Sequence, residues 1–259
     1  MKKIEAGSLA IALLLFSVGC SVKELRDDCP CRLILDFSET DTLSVRELVV
    51  HAEDRAGTSY DCNLAAAEFM PEYHMEVSRS SLLLNVCSGD AGLYEPGRGL
   101  VIPYGSACPE VFMYMKEIDA LGEFVRDTVS LHKNHCVLTV IFEKEDSPLY
   151  GLCLKGGVAG YGKDCRPMAG EFSFVPIESG DRSYRAVIPR QLDSSLMLEV
   201  DDGSAMIRRF ALGEMIAAGG YDWDSRDLDD LTVRIDWAST DIMITINGWD
   251  WSYEYQIVI

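Results

Sequence analysis

The sequence predicts an all-β protein: two β-sandwich domains in series, with one or two short helices in the second. Three observations carry this reading. Apolar runs recur along the chain, separated by Gly, Pro, Asn, Asp and Ser, which is the spacing of strands and turns in a sandwich. The runs fall into two series, one on either side of Thr128. Only residues 212–218 show clear helical spacing, and Gly219 and Gly220 follow them as a stop signal.

Residues 1–19 read as a secretory signal, removed rather than folded. Lys2 and Lys3 form its positive start, Leu9 to Val18 its apolar run, and small residues close it before a cysteine. The apolar run is about half the roughly 20 residues that a membrane-spanning helix needs. Cleavage is expected between Gly19 and Cys20, which resembles a bacterial lipobox in which the Cys20 thiol takes up acyl chains such as palmitate. Ser17 stands where that pattern favours Leu. Residues 20–31 then form a lipidated tether. Its polar stretch includes Lys23-Glu24 and Asp27-Asp28, similar to the acidic stretches that send some lipoproteins to the outer face of the cell.

Removing residues 1–19 takes away Lys2, Lys3 and Glu5 and leaves 21 basic and 41 acidic side chains, a net charge of −20. Such a surface excludes nucleic acid and anionic headgroups as partners, because affinity for both comes mainly from Lys and Arg. Membrane attachment therefore falls to the acyl chains on Cys20, each buried methylene of which contributes about 0.8 kcal/mol. Besides Cys20 the mature chain carries Cys29, Cys31, Cys62, Cys87, Cys108, Cys136, Cys153 and Cys165. In an exported protein these can form disulfides, in any of 105 connectivities that spacing does not distinguish.

The N-terminal sandwich is expected over residues 32–128, with strands at 32–37, 46–52, 82–86 and 111–115. Leu33, Leu35 and Phe37 share one face of the first. The C-terminal sandwich is expected over residues 129–259. It opens with the run from Cys136 to Phe142, apolar or Thr throughout, as in a strand buried on both sides or in a sandwich core. Further strands follow at 149–154, 171–175, 183–188, 196–200, 206–210, 231–237, 242–246 and 251–259, and Ser225 is placed to cap another helical turn. No sequence repeat is visible.

The candidate chemical motifs are incomplete. Gly157 to Lys163 matches the G-x-x-x-x-G-K part of a phosphate loop, but Asp164 stands where Ser or Thr must hold magnesium, so a Gly-rich β-turn is the better reading. Asp222, Asp224, Asp227, Asp229 and Asp230 lack the Gly of a calcium loop, and Arg226 occupies a ligand position. His132, His135 and Cys136 have no second ligand cluster. Asp201-Asp202 precedes Gly203-Ser204 as in a hairpin turn. No nucleophile and base arrangement is found, so catalytic residues, metals and cofactors are not expected. Trp223, Trp237, Trp249 and Trp251 read first as core. Exposed, they would form a carbohydrate-stacking platform, which leaves a surface glycan-binding lipoprotein as the alternative function.

The last nine residues place Trp251, Tyr253, Tyr255, Ile257 and Ile259 on one face. Such a strand either closes its own sandwich or completes the sheet of a neighbouring subunit.

Leu212-Gly213-Glu214-Met215-Ile216, Gly220-Tyr221-Asp222-Trp223, the stretch from Asp227 to Val233, and Ile244-Thr245-Ile246 with Trp249 resemble the fimbrial anchor lipoproteins of Bacteroidetes, the FimB and Mfa anchor subunits. Cys20 followed by Asp27-Asp28-Cys29-Pro30, the opening from Val129 to Ile141, and the stretch from Ile188 to Leu192 carry the same resemblance. It implies two transthyretin-like sandwiches, a lipid anchor in the outer membrane with the body exposed at the surface, fimbrial subunits as protein partners, and a non-catalytic role in holding fimbriae and limiting their length.

Overall fold

The computed structural model describes residues 29–41, 44–88, 91–95, 98–143, 151–180, 182–201, 207–236 and 241–246. The signal, Gly19, Cys20, the tether to residue 28, the 202–206 turn, Trp237, Trp249 and the run carrying Trp251, Tyr253, Tyr255, Ile257 and Ile259 lie outside the described residues.

The first half contains β1 (Cys31–Asp36), β2 (Glu47–Asp54), β3 (Ser59–Ala65), α1 (Ala66–Phe69), β4 (Glu72–Val77), β5 (Ser81–Ser88), β6 (Tyr94–Glu95), β7 (Gly99–Val101), β8 (Phe112–Asp119), β9 (Phe124–Thr128) and β10 (His132–Lys133). A three-stranded sheet in the order β4-β1-β9 packs on a five-stranded sheet in the order β10-β8-β5-β2-β3. Along β1 the burial alternates: Cys31, Leu33 and Leu35 are fully buried while Arg32 is exposed, as expected for a strand with one face on a core. Opposite them stand Leu48, Val50 and Ala52 of β2 and Leu82, Leu84 and Val86 of β5. Burying one such leucine contributes about 1.5–3 kcal/mol.

The second half contains β11 (His135–Phe142), β12 (Gly151–Gly162), β13 (Pro167–Phe174), β14 (Ile177–Gly180), β15 (Ser183–Pro189), β16 (Met197–Asp201), β17 (Ile207–Phe210), α2 (Leu212–Ala218), β18 (Leu231–Asp236) and β19 (Asp241–Ile246). The sheet β14-β15-β11-β18-β19 packs on the sheet β17-β16-β12-β7-β6, to which β13 is added beside β12. On β11 the buried side chains are Cys136, Leu138, Val140 and Phe142, while Val137, Thr139 and Ile141 are half-buried, so this apolar run is a sandwich-core strand. The fold is thus all-β, as the sequence predicts, with strands carrying most of the described residues.

The two halves share a plan that the sequence hides. In each, the opening strand pairs antiparallel with one neighbour and parallel with another: β1 with β4 and β9, β11 with β15 and β18. The two opening strands read CRLILD and HCVLTVIF, alike only in alternation.

Three details differ from the sequence expectation. Ser225 caps no helix, because residues 221–230 run as turns and loop, and the other α-helix among the described residues, α1, lies in the first half. The glycine-rich stretch is not a turn but the body of β12, whose pairing with β13 shifts register twice between Gly156 and Gly160. Strands β6 and β7, from the first half of the chain, belong to the sheet of the second, with Leu100 opposite Tyr161. Cys87 of β5 and Met113 of β8 also pack into the second core, so residues before Thr128 build part of both cores.

Candidate functional surface

Some of the residues that carry the family resemblance, from stretches 129–141, 188–192 and 220–230, meet in space. Helix α2 buries Leu212, Met215 and Ile216, one face of a short helix. Gly213 must be glycine, because a Cβ there would lie 2.4 Å from the Ser194 carbonyl oxygen. Gly220 ends the helix at φ +78°, a conformation that L side chains rarely adopt, while the Tyr221 N–H donates back to the Ile216 carbonyl at 3.3 Å. The Tyr221 and Trp223 rings then meet edge to face, 4.6 Å between centroids.

Arg190, just after β15, fastens this loop. Its guanidinium donates to the carbonyl oxygens of Trp223 and Ser225 and, at 3.1 Å, to the side chain of Asn134. The Arg190 N–H donates to the Tyr161 hydroxyl at 2.8 Å, and that hydroxyl donates to the Asn134 carbonyl. Burial holds the Tyr161 hydroxyl well above its usual range, so it remains a donor. The acidic residues serve the same joint. Asp227 accepts the Lys133 N–H at 2.7 Å and lies 3.0 Å from His132 Nδ1, and Asp230 accepts the Val137 N–H at 2.8 Å and binds the Lys133 ammonium. Two of the aspartates considered for calcium are therefore engaged in tying the 221–230 loop to β10 and β11, where the chain passes from one sandwich to the other.

The three residues considered for a metal do not converge. His132 faces Asp227, His135 is buried beside Val111 and Phe112, and Cys136 is buried in the second core. Among the described residues no group of three or more His, Cys, Asp or Glu stands close enough to hold a metal ion. All eight described cysteines are free thiols. Cys29 is exposed and Cys31 buried, and burial pushes the Cys136 and Cys165 thiols up to about 12.

One feature escaped the sequence reading. A cleft of about 340 Å³ lies between the outer face of β2, β5 and β8 and the turn after β12. Lys163 of that turn donates to Glu53 of β2, and this partner holds the Glu53 carboxyl below the usual carboxylate range. His51 beside it places Nδ1 2.6 Å from Asp61 and Nε2 3.4 Å from Glu53. This is a polar latch between the sandwiches, made by residues 110 positions apart. Nothing in the local sequence around Lys163 or Glu53 marks it.

The joint has a pH signature. His135 Nδ1 sits 3.0 Å from both the N and O of Val111, and burial holds its pKa below the ordinary histidine value, with the Val111 carbonyl opposing. The unfolded chain therefore binds a proton more readily than the folded one, and stability falls as pH drops from about 6.5 through the lowered folded value. Replacing His135 by Gln is expected to flatten the loss of Tm over that window. An unchanged pH dependence would show that His135 does not set it.

The fold and this joint define an all-β protein of two sandwiches in series. Three solved structures share that fold over most of their length. A protein from Bacteroides thetaiotaomicron, described as polysaccharide-binding, matches at 14% identity and TM-score 0.65, covering 88% of this chain and 98% of that one. One from Bacteroides ovatus, described as an adhesin, matches at 15% identity and TM-score 0.58, covering 87% and 95%. The fimbrial anchor protein Mfa2 of Porphyromonas gingivalis matches at 17% identity and TM-score 0.54, covering 87% and 100%. At these identities the likeness establishes a shared fold. No family model matches the sequence, and no curated protein matches it.

Proposed function

We propose that this chain is an outer-membrane lipoprotein that anchors fimbriae to the cell surface and limits their length, acting as a binding and assembly element and not as an enzyme. The observation that carries this reading is the fold likeness to a fimbrial anchor protein over the whole length of that protein. Three features support it. The leader ends at Gly19-Cys20, the arrangement of an acylated cysteine. The apolar run from Leu9 to Val18 is about half the roughly 20 residues a spanning helix needs, so attachment through a lipid fits the chain. Arg190, Asp227 and Asp230, which lie in stretches that resemble the anchor family, tie the joint between the sandwiches, as suits a rigid adaptor. Its partners are fimbrial subunits on one side and, through the acyl chains on Cys20, the outer membrane on the other.

Deleting the protein is expected to release fimbriae into the medium. Cys20→Ala is expected to move it from the membrane to the soluble fraction, or leave the signal uncut, and to abolish labelling by a fatty-acid analogue. Label retained on the alanine variant would overturn the lipid anchor, and fimbriae that stay attached to cells lacking the protein would overturn the anchoring role. The likeness to the protein described as polysaccharide-binding favours a second reading, a surface glycan binder. Binding to a glycan panel by a protein whose loss leaves fimbriae in place would decide for it.

A further inference from the structure

We propose that the turn between β8 and β9 rests on the membrane, with Leu121 and Phe124 in contact with the lipid surface. This inference rests on the lipoprotein reading and goes beyond it by orienting the body on the bilayer. Phe124 is 70% exposed and Leu121 67% exposed, three positions apart in one turn, which puts two of the most open large apolar side chains among the described residues side by side along the chain. Both sit where the tether reaches the fold. Phe124 stands opposite Arg32 in the parallel pair of β1 and β9, and the Arg32 N–H donates to the Glu123 carbonyl at 3.0 Å. The turn and the exposed Cys29 thus share one end of the first sandwich. From Cys20 to Cys29 the chain spans at most about 30 Å even fully extended, so this end is held close to the acyl chains.

A shallow groove of about 490 Å³ beside the turn is lined by Pro30, Arg32, Ile34, Glu76, Glu123 and Phe124. Its two carboxylates and the net charge of −20 after signal removal give no attraction to anionic headgroups. Apolar contact is what remains to orient the body, and an aromatic and a leucine on a polar rim are suited to the interface. A single lipidated residue leaves a protein free to tumble on its tether. A second, weak apolar contact beside the tether would restrict that motion and fix which edge faces outward.

The test uses the full-length lipoprotein, extracted in detergent and reconstituted into phosphatidylcholine vesicles whose acyl chains carry bromine. Phe124→Trp is chosen because its exposed position tolerates the larger ring. The introduced indole is expected to lose emission to the brominated chains beyond the loss seen for the parent protein, whose tryptophans are at positions 223, 237, 249 and 251. The same substitution on Cys20→Ala protein is expected to show no such loss. Protein that floats with the vesicles without extra quenching overturns the contact while leaving the lipid anchor intact. Protein with Cys20 present that fails to float overturns the anchor and the contact together. An indole shielded from aqueous quencher on intact cells but unquenched by brominated lipid also overturns it, and assigns the turn to a protein partner.

Discussion

Gly160→Val is expected to lower stability by about 2–5 kcal/mol, the sum of a side chain forced into a left-handed conformation and an overpacked contact. Gly160 has φ +143°, and a Cβ there would lie 2.1 Å from the Leu100 carbonyl oxygen. Across the same contact Gly99, at φ +105°, leaves room of 2.2 Å from its would-be Cβ to the Tyr161 carbonyl oxygen. These two glycines let β7 approach β12, and that approach brings Leu100 and Ile102 into the second core beside Tyr161. A side chain at 160 must push β7 away, which also disturbs the Tyr161 hydroxyl that holds Asn134 and Arg190. Gly105→Ala is the control, because Gly105 has φ +86° but nothing within 4 Å of a Cβ. Its cost is expected to stay near the backbone penalty alone, about 1–2 kcal/mol. Urea denaturation of both variants measures the difference, and equal losses would show that the close approach is not what requires glycine at 160.

Removing residues 253–259 is expected to leave a folded, membrane-bound protein that no longer retains fimbriae. Among the described residues β19 is the last strand of its sheet, paired antiparallel with β18, and the edge of a sheet is where a further strand can add. Tyr253, Tyr255, Ile257 and Ile259 repeat an apolar face that would complete a sheet, and strand addition is a known way of joining chains. Fimbriae counted on cells and in the medium, together with proteolysis of the truncated protein, measure the two parts. Degradation of the truncated chain, or fimbriae still retained by it, would sink the idea of a subunit-joining strand.

Much of the secondary structure was legible. Alternation marked β1, β11, β15 and β18, and Gly219-Gly220 marked the end of α2, because both signals are local and set by the period of side chains along a strand or helix. Strands β3, β4 and β9 were not read. Two of them, SYDCNLA and EYHMEV, do alternate, with Tyr60, Cys62 and Leu64 on one face of β3 and Tyr73, Met75 and Val77 on one face of β4, so the local signal was there, carried by Tyr, Cys and Met among charged and polar residues instead of by an aliphatic run. Each is held by pairing with a neighbour whose position depends on the rest of the sheet.

The same division separates what each level determined about function. By itself the sequence determined the acidic charge and the all-β class, and it carries the expectation of a leader ending at Gly19-Cys20 on which the proposed lipid anchor rests. Each of these depends on composition or on residues a few positions apart. Only the tertiary structure decided that Arg190 fastens the Asp-rich 222–230 loop, that Gly99 and Gly160 both serve the close approach of β7 to β12, and that Phe124 stands opposite Arg32 at the start of β1. Those facts join residues tens of positions apart, and hydrogen bonds, steric exclusion and burial act on distance in space, which spacing along the chain does not encode.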